Sequence, residues 1–179
     1  MENFIREYWL DPKMCDDLLD YYKNNTEYKY KQEGKVKVCQ EVAFHSESRN
    51  PIIQKYFAFL NTCIEKYVNQ FDIFVQKGSK LITSEATLIQ HYKPGEGFFP
   101  WHTERDSIGN CRRQLVFMTY LNDVEDGGTQ FKFQNLTVQA KKGKTLLWPS
   151  DFTHSHKGQI SHTSEKTIVT GWLSYDSLD

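Results

Sequence analysis

Two stretches in the first part of the chain repeat apolar residues at helical spacing. Asp11-Pro12 offers a capping side chain followed by a proline at the first helical position, and Met14, Cys15, Leu18, Leu19 and Tyr22 then recur every three or four residues up to Asn24-Asn25. Asn50-Pro51 repeats the signal, with Ile53, Phe57, Leu60, Ile64 and Val68 marking one apolar face that runs to about Phe71. Between the helices, residues 28–46 are expected to hold a strand around Val36, Val38 and Ala43. From about residue 80 the pattern changes to short runs rich in Val, Ile, Thr, Phe and Tyr, separated by Gly, Asn, Asp and Pro. Strands are predicted near 84–92, 98–102, 113–121, 129–133, 135–139, 144–148, 153–159 and 166–175. Turns are expected at Pro94-Gly95, Asn122-Asp123, Asp126-Gly127-Gly128, Lys142-Gly143 and Pro149-Ser150. Short strands preceded by two helices predict a β-sandwich or jelly roll with helices packed on one face.

Composition narrows the class. The chain has 179 residues, which suits one domain. Aromatic residues make up 15%, enough large apolar area for a packed core. A formal net charge of -1 gives no global basic field, so a nucleic-acid partner is not expected. The apolar runs are too short for a membrane span, and MENFIREYWLD carries no basic-then-apolar leader pattern, so a soluble cytoplasmic protein is expected. Cys15, Cys39, Cys63 and Cys111 are scattered without a CxxC pair, which argues against a zinc ribbon and for free, mostly buried thiols.

The chemistry is concentrated in Trp101-His102-Thr103-Glu104. In a strand, residues two apart share a face, so His102 and Glu104 can reach one ion. A third ligand must come from elsewhere, and His154 and His156 are both candidates by the same alternation. Two imidazoles and one carboxylate on one side of an ion leave the opposite positions open, which suits oxygen-activating Fe(II). Alone, HxE is more often a solvated strand face, and HxH also suits a cupin-like or zinc site.

The wider context is more specific. LIQHYKPGEGFFPWHTE, RQLVFMTYLNDVEDGGTQF, KKGKTLLWPSDFTHSHKG and EKTIVTGWLSY occur in that order over residues 88–175. In these blocks the chain resembles the prolyl-4-hydroxylase-like branch of the Fe(II)/2-oxoglutarate-dependent dioxygenases, particularly compact microbial and bacteriophage members. The resemblance implies a mainly β fold with N-terminal helices: a double-stranded β-helix (jelly roll) over residues 81–179, with residues 1–80 as a helical support region packed on the larger sheet. It implies Fe(2+), 2-oxoglutarate and O2, with ascorbate as a further candidate, and release of succinate and CO2. By the same resemblance the metal ligands are His102, Glu104 and His156, the last chosen over His154 because Lys157-Gly158 follows it. Most members have Asp where this chain has Glu104, a side chain one methylene longer. Lys166, ten residues after His156, falls where the family pairs the distal carboxylate of 2-oxoglutarate, and Tyr92 and Thr129 fall where it hydrogen-bonds the same molecule. Arg113 matches a position that contacts substrate or supports the site, support being the expectation. Tyr120 and Trp172 read as core or pocket wall.

The substrate is not legible. The resemblance favours a prolyl residue in a peptide or protein, with the loop RDSIGNCR after Glu104 and the stretch 28–46 as the segments that would shape a groove. Hydroxylation of a free amino acid or small metabolite is the alternative within the same chemistry. Outside it stand a non-enzymatic β-sandwich and a cupin-like zinc or manganese protein, and neither has a use for Lys166.

Overall fold

The computed structural model describes residues 2–25, 29–72 and 80–176. In chain order the elements are β1 (Arg6–Trp9), α1 (Pro12–Asn24), β2 (Lys29–Glu33), β3 (Lys37–Phe44), α2 (Pro51–Phe71), β4 (Leu81–Ile82), β5 (Thr87–Tyr92), β6 (Gly97–Phe98), β7 (Arg113–Tyr120), β8 (Val124–Phe131), β9 (Leu136–Ala140), β10 (Lys144–Pro149), β11 (His156–Gly158) and β12 (Lys166–Tyr175). A larger sheet runs β1-β10-β7-β12-β5-β3-β2, with β4 added to β12 and β6 to β3, and a smaller sheet runs β11-β8-β9. All pairings are antiparallel. The fold is the expected mainly β jelly roll, with both helices packed on the larger sheet.

Both helices start as the sequence predicts. The Asp11 side chain accepts from the Lys13 amide at 2.7 Å and the Asn50 side chain from the Ile52 amide at 2.9 Å, each with proline at the start of the helix. These bonds satisfy amides that have no partner within the helix. Leu18 and Tyr22 of α1 and Ile53, Tyr56, Phe57 and Leu60 of α2 pack on Val42, Phe44, Ile89, Leu115, Phe117, Leu147, Val169 and Leu173. Those strand residues form one face of the larger sheet. The alternate residues, including Tyr92, Val116, Met118, Tyr120, Leu146, Trp148 and Ile168, face the smaller sheet and pack with Val124, Phe131 and Val138. The period of two in each central strand therefore feeds two separate cores. One anchors the helices, and the other surrounds the interior between the sheets.

Several expectations are revised. Residues 1–80 do more than buttress, because β1, β2 and β3 all join the larger sheet. The stretch 28–46 forms a hairpin of β2 and β3, with Val36 exposed at its turn, and Tyr28 lies outside the described residues. Asp126-Gly127-Gly128, expected as a turn, lies within β8, where the register with β9 shifts between Val124 and Thr129. Neither glycine has positive φ. A Cβ on Gly127 would sit 2.5 Å from Val124, and one on Gly128 would sit 2.4 Å from the Val138 carbonyl, so close packing rather than turn geometry demands glycine here. The strand expected at 153–159 is divided into a single helical turn, Phe152–His154, and β11. Cys15, Cys39 and Cys63 are buried free thiols, and Cys111 is exposed. Among the described residues, no helix is long and apolar enough to cross a membrane.

Candidate active site

His102 lies beyond the short strand β6 and is held by an isolated antiparallel bridge to His156, the first residue of β11. The bridge carries two backbone hydrogen bonds, His102 N to His156 O at 3.0 Å and His156 N to His102 O at 2.9 Å. This pairing, not a continuous strand through 98–102, places the two imidazoles side by side with ring centroids 4.3 Å apart. Glu104 follows, its amide held by the Ser150 carbonyl at 3.1 Å. His102 Nε2 and His156 Nε2 each lie 3.4 Å from Glu104 Oε1. Ligand atoms of His102, Glu104 and His156 all fall within 4.8 Å of one another.

The other ring nitrogens settle what these three atoms can do. His102 Nδ1 faces the Pro100 carbonyl at 3.2 Å, and His156 Nδ1 faces the His154 carbonyl at 2.9 Å. A carbonyl can only accept, so both Nδ1 atoms carry protons. A neutral imidazole then has only a lone pair at Nε2. Two such lone pairs and a carboxylate oxygen converge with no proton left to share, and a divalent cation resolves that arrangement. Burial would raise the Glu104 carboxyl. When the imidazoles carry a proton at Nε2 as well, their hydrogen bonds and charge outweigh burial and hold the group well below the usual carboxylate range.

Glu104 Oε2 is held separately. It accepts the Trp172 indole N–H at 2.9 Å and lies 3.5 Å from Arg113 Nη1. Arg113 also donates to the Glu104 backbone carbonyl at 3.2 Å, pairs with Glu85 at 2.7 Å and stacks over Trp172 at 3.7 Å. Arg113 thus sits as a support of Glu104. The RDSIGNCR loop is tied back by Arg105, which bonds both carboxylate oxygens of Asp151 and the Gln114 side chain. The segments before His156 and after Glu104 are thereby fastened together. His154 points elsewhere. Its Nε2 meets the Asn3 carbonyl at 2.9 Å and its Nδ1 meets Thr153 Oγ1 at 2.9 Å, so both nitrogens are engaged away from the cluster. Burial pushes its pKa below the ordinary imidazole value.

The cluster opens into a pocket between the sheets, lined also by Lys37, Gln90, Tyr92, Phe98, Met118, Tyr120, Thr129, Trp148, Gly158, Lys166, Ile168, Thr170 and Trp172. Lys166, Ile168, Thr170 and Trp172 are alternate residues of β12, so a single strand face supplies both the support of Glu104 and the amine at the pocket's other wall. Lys166 is 6% exposed. Its Nζ donates to the Gln159 carbonyl at 2.6 Å and the Gly127 carbonyl at 3.2 Å, and no carboxylate pairs with it among its described contacts. Burial pushes its pKa down to about 8, with Asp126 offsetting part of this. A buried ammonium with one proton to spare and no ion-paired carboxylate among its described contacts suits an anionic ligand group. Gly158 leaves room for it, since a Cβ there would lie 3.3 Å from Lys166 Nζ. Thr129 Oγ1 of β8 and the Tyr120 hydroxyl of β7 share a 2.6 Å hydrogen bond that joins the two sheets at the pocket lining. Tyr92 donates to Gln90 Oε1 at 2.6 Å, and burial holds its phenol far above the ordinary value, so it keeps its proton.

Sequence reasoning missed the support Trp172 gives to Glu104, and it missed Gln90, Glu41 and Lys37 altogether. The alternation Lys166-Ile168-Thr170-Trp172 was the available signal for Trp172. Nothing local marks Glu41 or Lys37, which reach the site through the pairing of Glu41 with Gln90 of β5 and of Lys37 with Phe98 of β6.

Residues 87–174 match the family described as the 2OG-Fe(II) oxygenase superfamily. No curated protein sequence matches the chain. Among solved structures, the fold is similar to a Pseudomonas putida prolyl-4-hydroxylase at 15% identity and TM-score 0.73, covering 96% of this chain and 92% of that one. It is similar to a viral collagen prolyl hydroxylase from Paramecium Bursaria Chlorella virus-1, a 2OG complex, at 17% identity and TM-score 0.70, covering 95% of each chain. A Trichoplax adhaerens prolyl hydroxylase in complex with a hypoxia inducible factor oxygen degradation domain peptide fragment matches at 13% identity and TM-score 0.72, covering 96% of this chain and 84% of that one.

Proposed function

We propose, from the premise that the chain belongs through residues 87–174 to the 2OG-Fe(II) oxygenase superfamily, that it is a single-unit 2-oxoglutarate-dependent dioxygenase hydroxylating a prolyl residue in a peptide or protein. The observation that carries the reading is one pocket holding both features the chemistry needs. Nε2 of His102, Nε2 of His156 and Oε1 of Glu104 converge at one end, and the ammonium of Lys166 stands on the wall without a carboxylate partner. A cupin-like zinc protein has a use for the first feature only.

In this reading His102, Glu104 and His156 hold Fe(II), and Lys166, with Tyr92 and Thr129 beside it, holds the distal carboxylate of 2-oxoglutarate. Bound together, the metal and cosubstrate supply an oxidant from O2, with 2-oxoglutarate leaving as succinate and CO2. The chain's part is to position and to exclude water. Trp172 and Arg113 keep one oxygen of Glu104 occupied, so the other alone faces the ion. Phe98, stacked on His102 with ring centroids 3.9 Å apart, and Trp148, 5.1 Å from the His156 ring, wall the ligands off from solvent. A peptidyl substrate is favoured by the Trichoplax neighbour, which is described with a peptide fragment.

Two measurements test the reading. Anaerobic titration of Fe(II) and then 2-oxoglutarate should produce the weak visible charge-transfer band of the chelate, and its absence would remove the oxygenase assignment. Succinate formation should rise with proline-rich peptides and not with free amino acids; the reverse would move the substrate to the small-molecule class.

A further inference from the structure

Behind the pocket wall a chain of hydrogen bonds runs from β3 to β5. Glu41 is 6% exposed, and its carboxylate receives three donors: the Lys37 ammonium, Gln90 Nε2 at 2.7 Å and Gln32 Nε2 at 3.3 Å. Gln90, also 6% exposed, turns its Oε1 to the Tyr92 hydroxyl at 2.6 Å. The direction of every proton follows from one fact. A carboxylate paired with an ammonium can only accept, so the amide NH2 of Gln90 must face Glu41. The Gln90 carbonyl oxygen must then face Tyr92, and an amide oxygen also can only accept. The phenol proton is therefore committed to Gln90, and only lone pairs of the Tyr92 oxygen remain for the pocket.

That polarity matters for the ligand. An anionic oxygen beside Tyr92 needs a donor. To donate, Tyr92 must withdraw its proton from Gln90, and Gln90 cannot compensate by turning over, because its NH2 would leave Glu41. Leaving a buried amide oxygen without a partner carries a cost comparable to the hydrogen bond gained. We propose that Glu41 and Gln90 form a relay that sets the Tyr92 hydroxyl proton away from the pocket, so that the cosubstrate carboxylate and Gln90 compete for one proton and 2-oxoglutarate is held more weakly than the pocket would otherwise allow. Glu41 and Gln90 are then positioning residues acting through Tyr92. The proposal rests on the 2-oxoglutarate reading given above.

The test is anaerobic binding of 2-oxoglutarate to the Mn(II)-loaded full chain by calorimetry. If the wild type does not bind 2-oxoglutarate, the functional reading fails and the relay, which rests on it, falls with it. If it binds, Gln90→Met removes the competing acceptor with little change of shape, and affinity should rise about threefold to tenfold, the range of one neutral hydrogen bond. Glu41→Gln preserves volume and can donate to Gln90, freeing the amide to turn over, and should shift affinity in the same direction. In a Tyr92→Phe background neither substitution should alter affinity. 2-Oxobutyrate, which lacks the distal carboxylate, should bind wild type and Gln90→Met alike. Unchanged or weaker 2-oxoglutarate binding in both single variants, or a gain that persists without the Tyr92 hydroxyl, would overturn the relay.

Discussion

The two oxygens of Glu104 have different partners, and this bears on why a glutamate can stand where related enzymes mostly carry aspartate. Oε1 lies 3.4 Å from each imidazole, while Oε2 is taken by the Trp172 indole and approached by Arg113. The extra methylene adds a rotatable bond, and the indole N–H removes the freedom that bond brings. Trp172→Phe keeps a ring under Arg113 and deletes only the donor, so Mn(II) or Fe(II) affinity should fall by roughly tenfold, the lower range for lost partners of a metal ligand. Metal titration that shows no change would mean Oε2 needs no anchor. The histidine pair gives a second prediction at this scale. His156→Ala should abolish metal binding, whereas His154→Ala should leave it measurable and lower the melting temperature, because His154 Nε2 holds the Asn3 carbonyl. Iron content of the two purified variants checks both halves. The choice between these histidines was not legible from alternation, since both sit on one parity of the chain. It becomes visible only where the backbone bridge to His102 selects His156.

β12 is the element on which the site depends most. It lies between β7 and β5, and its two faces serve different cores: Val169 and Leu173 pack under the helices, while Lys166, Ile168, Thr170 and Trp172 line the pocket. Gly171 belongs to the helix-facing set, and a Cβ there would lie 2.4 Å from the Phe117 ring. Phe117 is fully buried, so the ring cannot move aside cheaply. Gly171→Ala should therefore destabilise the fold by about 1–3 kcal/mol, the usual cost of overpacking a core. Denaturant unfolding with an unchanged midpoint would contradict this. β12 and β7 were readable in the sequence because dense apolar and β-branched residues leave no other reading. β1 was not, because Arg6 to Trp9 has no fully buried residue and becomes a strand only through its register with β10. The first half of β8 was hidden for another reason. Glu125-Asp126-Gly127-Gly128 has turn chemistry, and it forms the irregular stretch of β8 between the Val124–Ala140 and Thr129–Val138 pairings.

For the molecule as a whole, the buried Lys166 sets stability against ligand binding. Its pKa falls from the ordinary 10.5 to about 8 because burial disfavours the ammonium, with Asp126 offsetting part of the effect. A lysine lowered in the folded state binds fewer protons there than in the unfolded chain between pH 8 and 10.5. Folding stability contributed by this group therefore rises with pH across that window, and its penalty is fully present below pH 8. The penalty is on the order of 3 kcal/mol at neutral pH. In Lys166→Met no proton titrates at the site, so the stability difference between wild type and variant should be flat below pH 8 and should move in the wild type's favour as pH rises toward 10. Binding runs the other way. With the ammonium as the proposed partner of the distal carboxylate, wild-type affinity for 2-oxoglutarate should fall above pH 8, approaching tenfold per pH unit. Lys166→Met should bind it at least tens of times more weakly at neutral pH, since truncating one partner of a buried charge pair typically costs about 2–5 kcal/mol. Paired urea unfolding of the metal-free proteins and calorimetric 2-oxoglutarate titrations, both at pH 7, 8, 9 and 10, read the two trends from one proton. If affinity and relative stability both stayed flat over that range, Lys166 would not be the cation that the cosubstrate meets, and the cluster of His102, Glu104 and His156 would have to be explained without it.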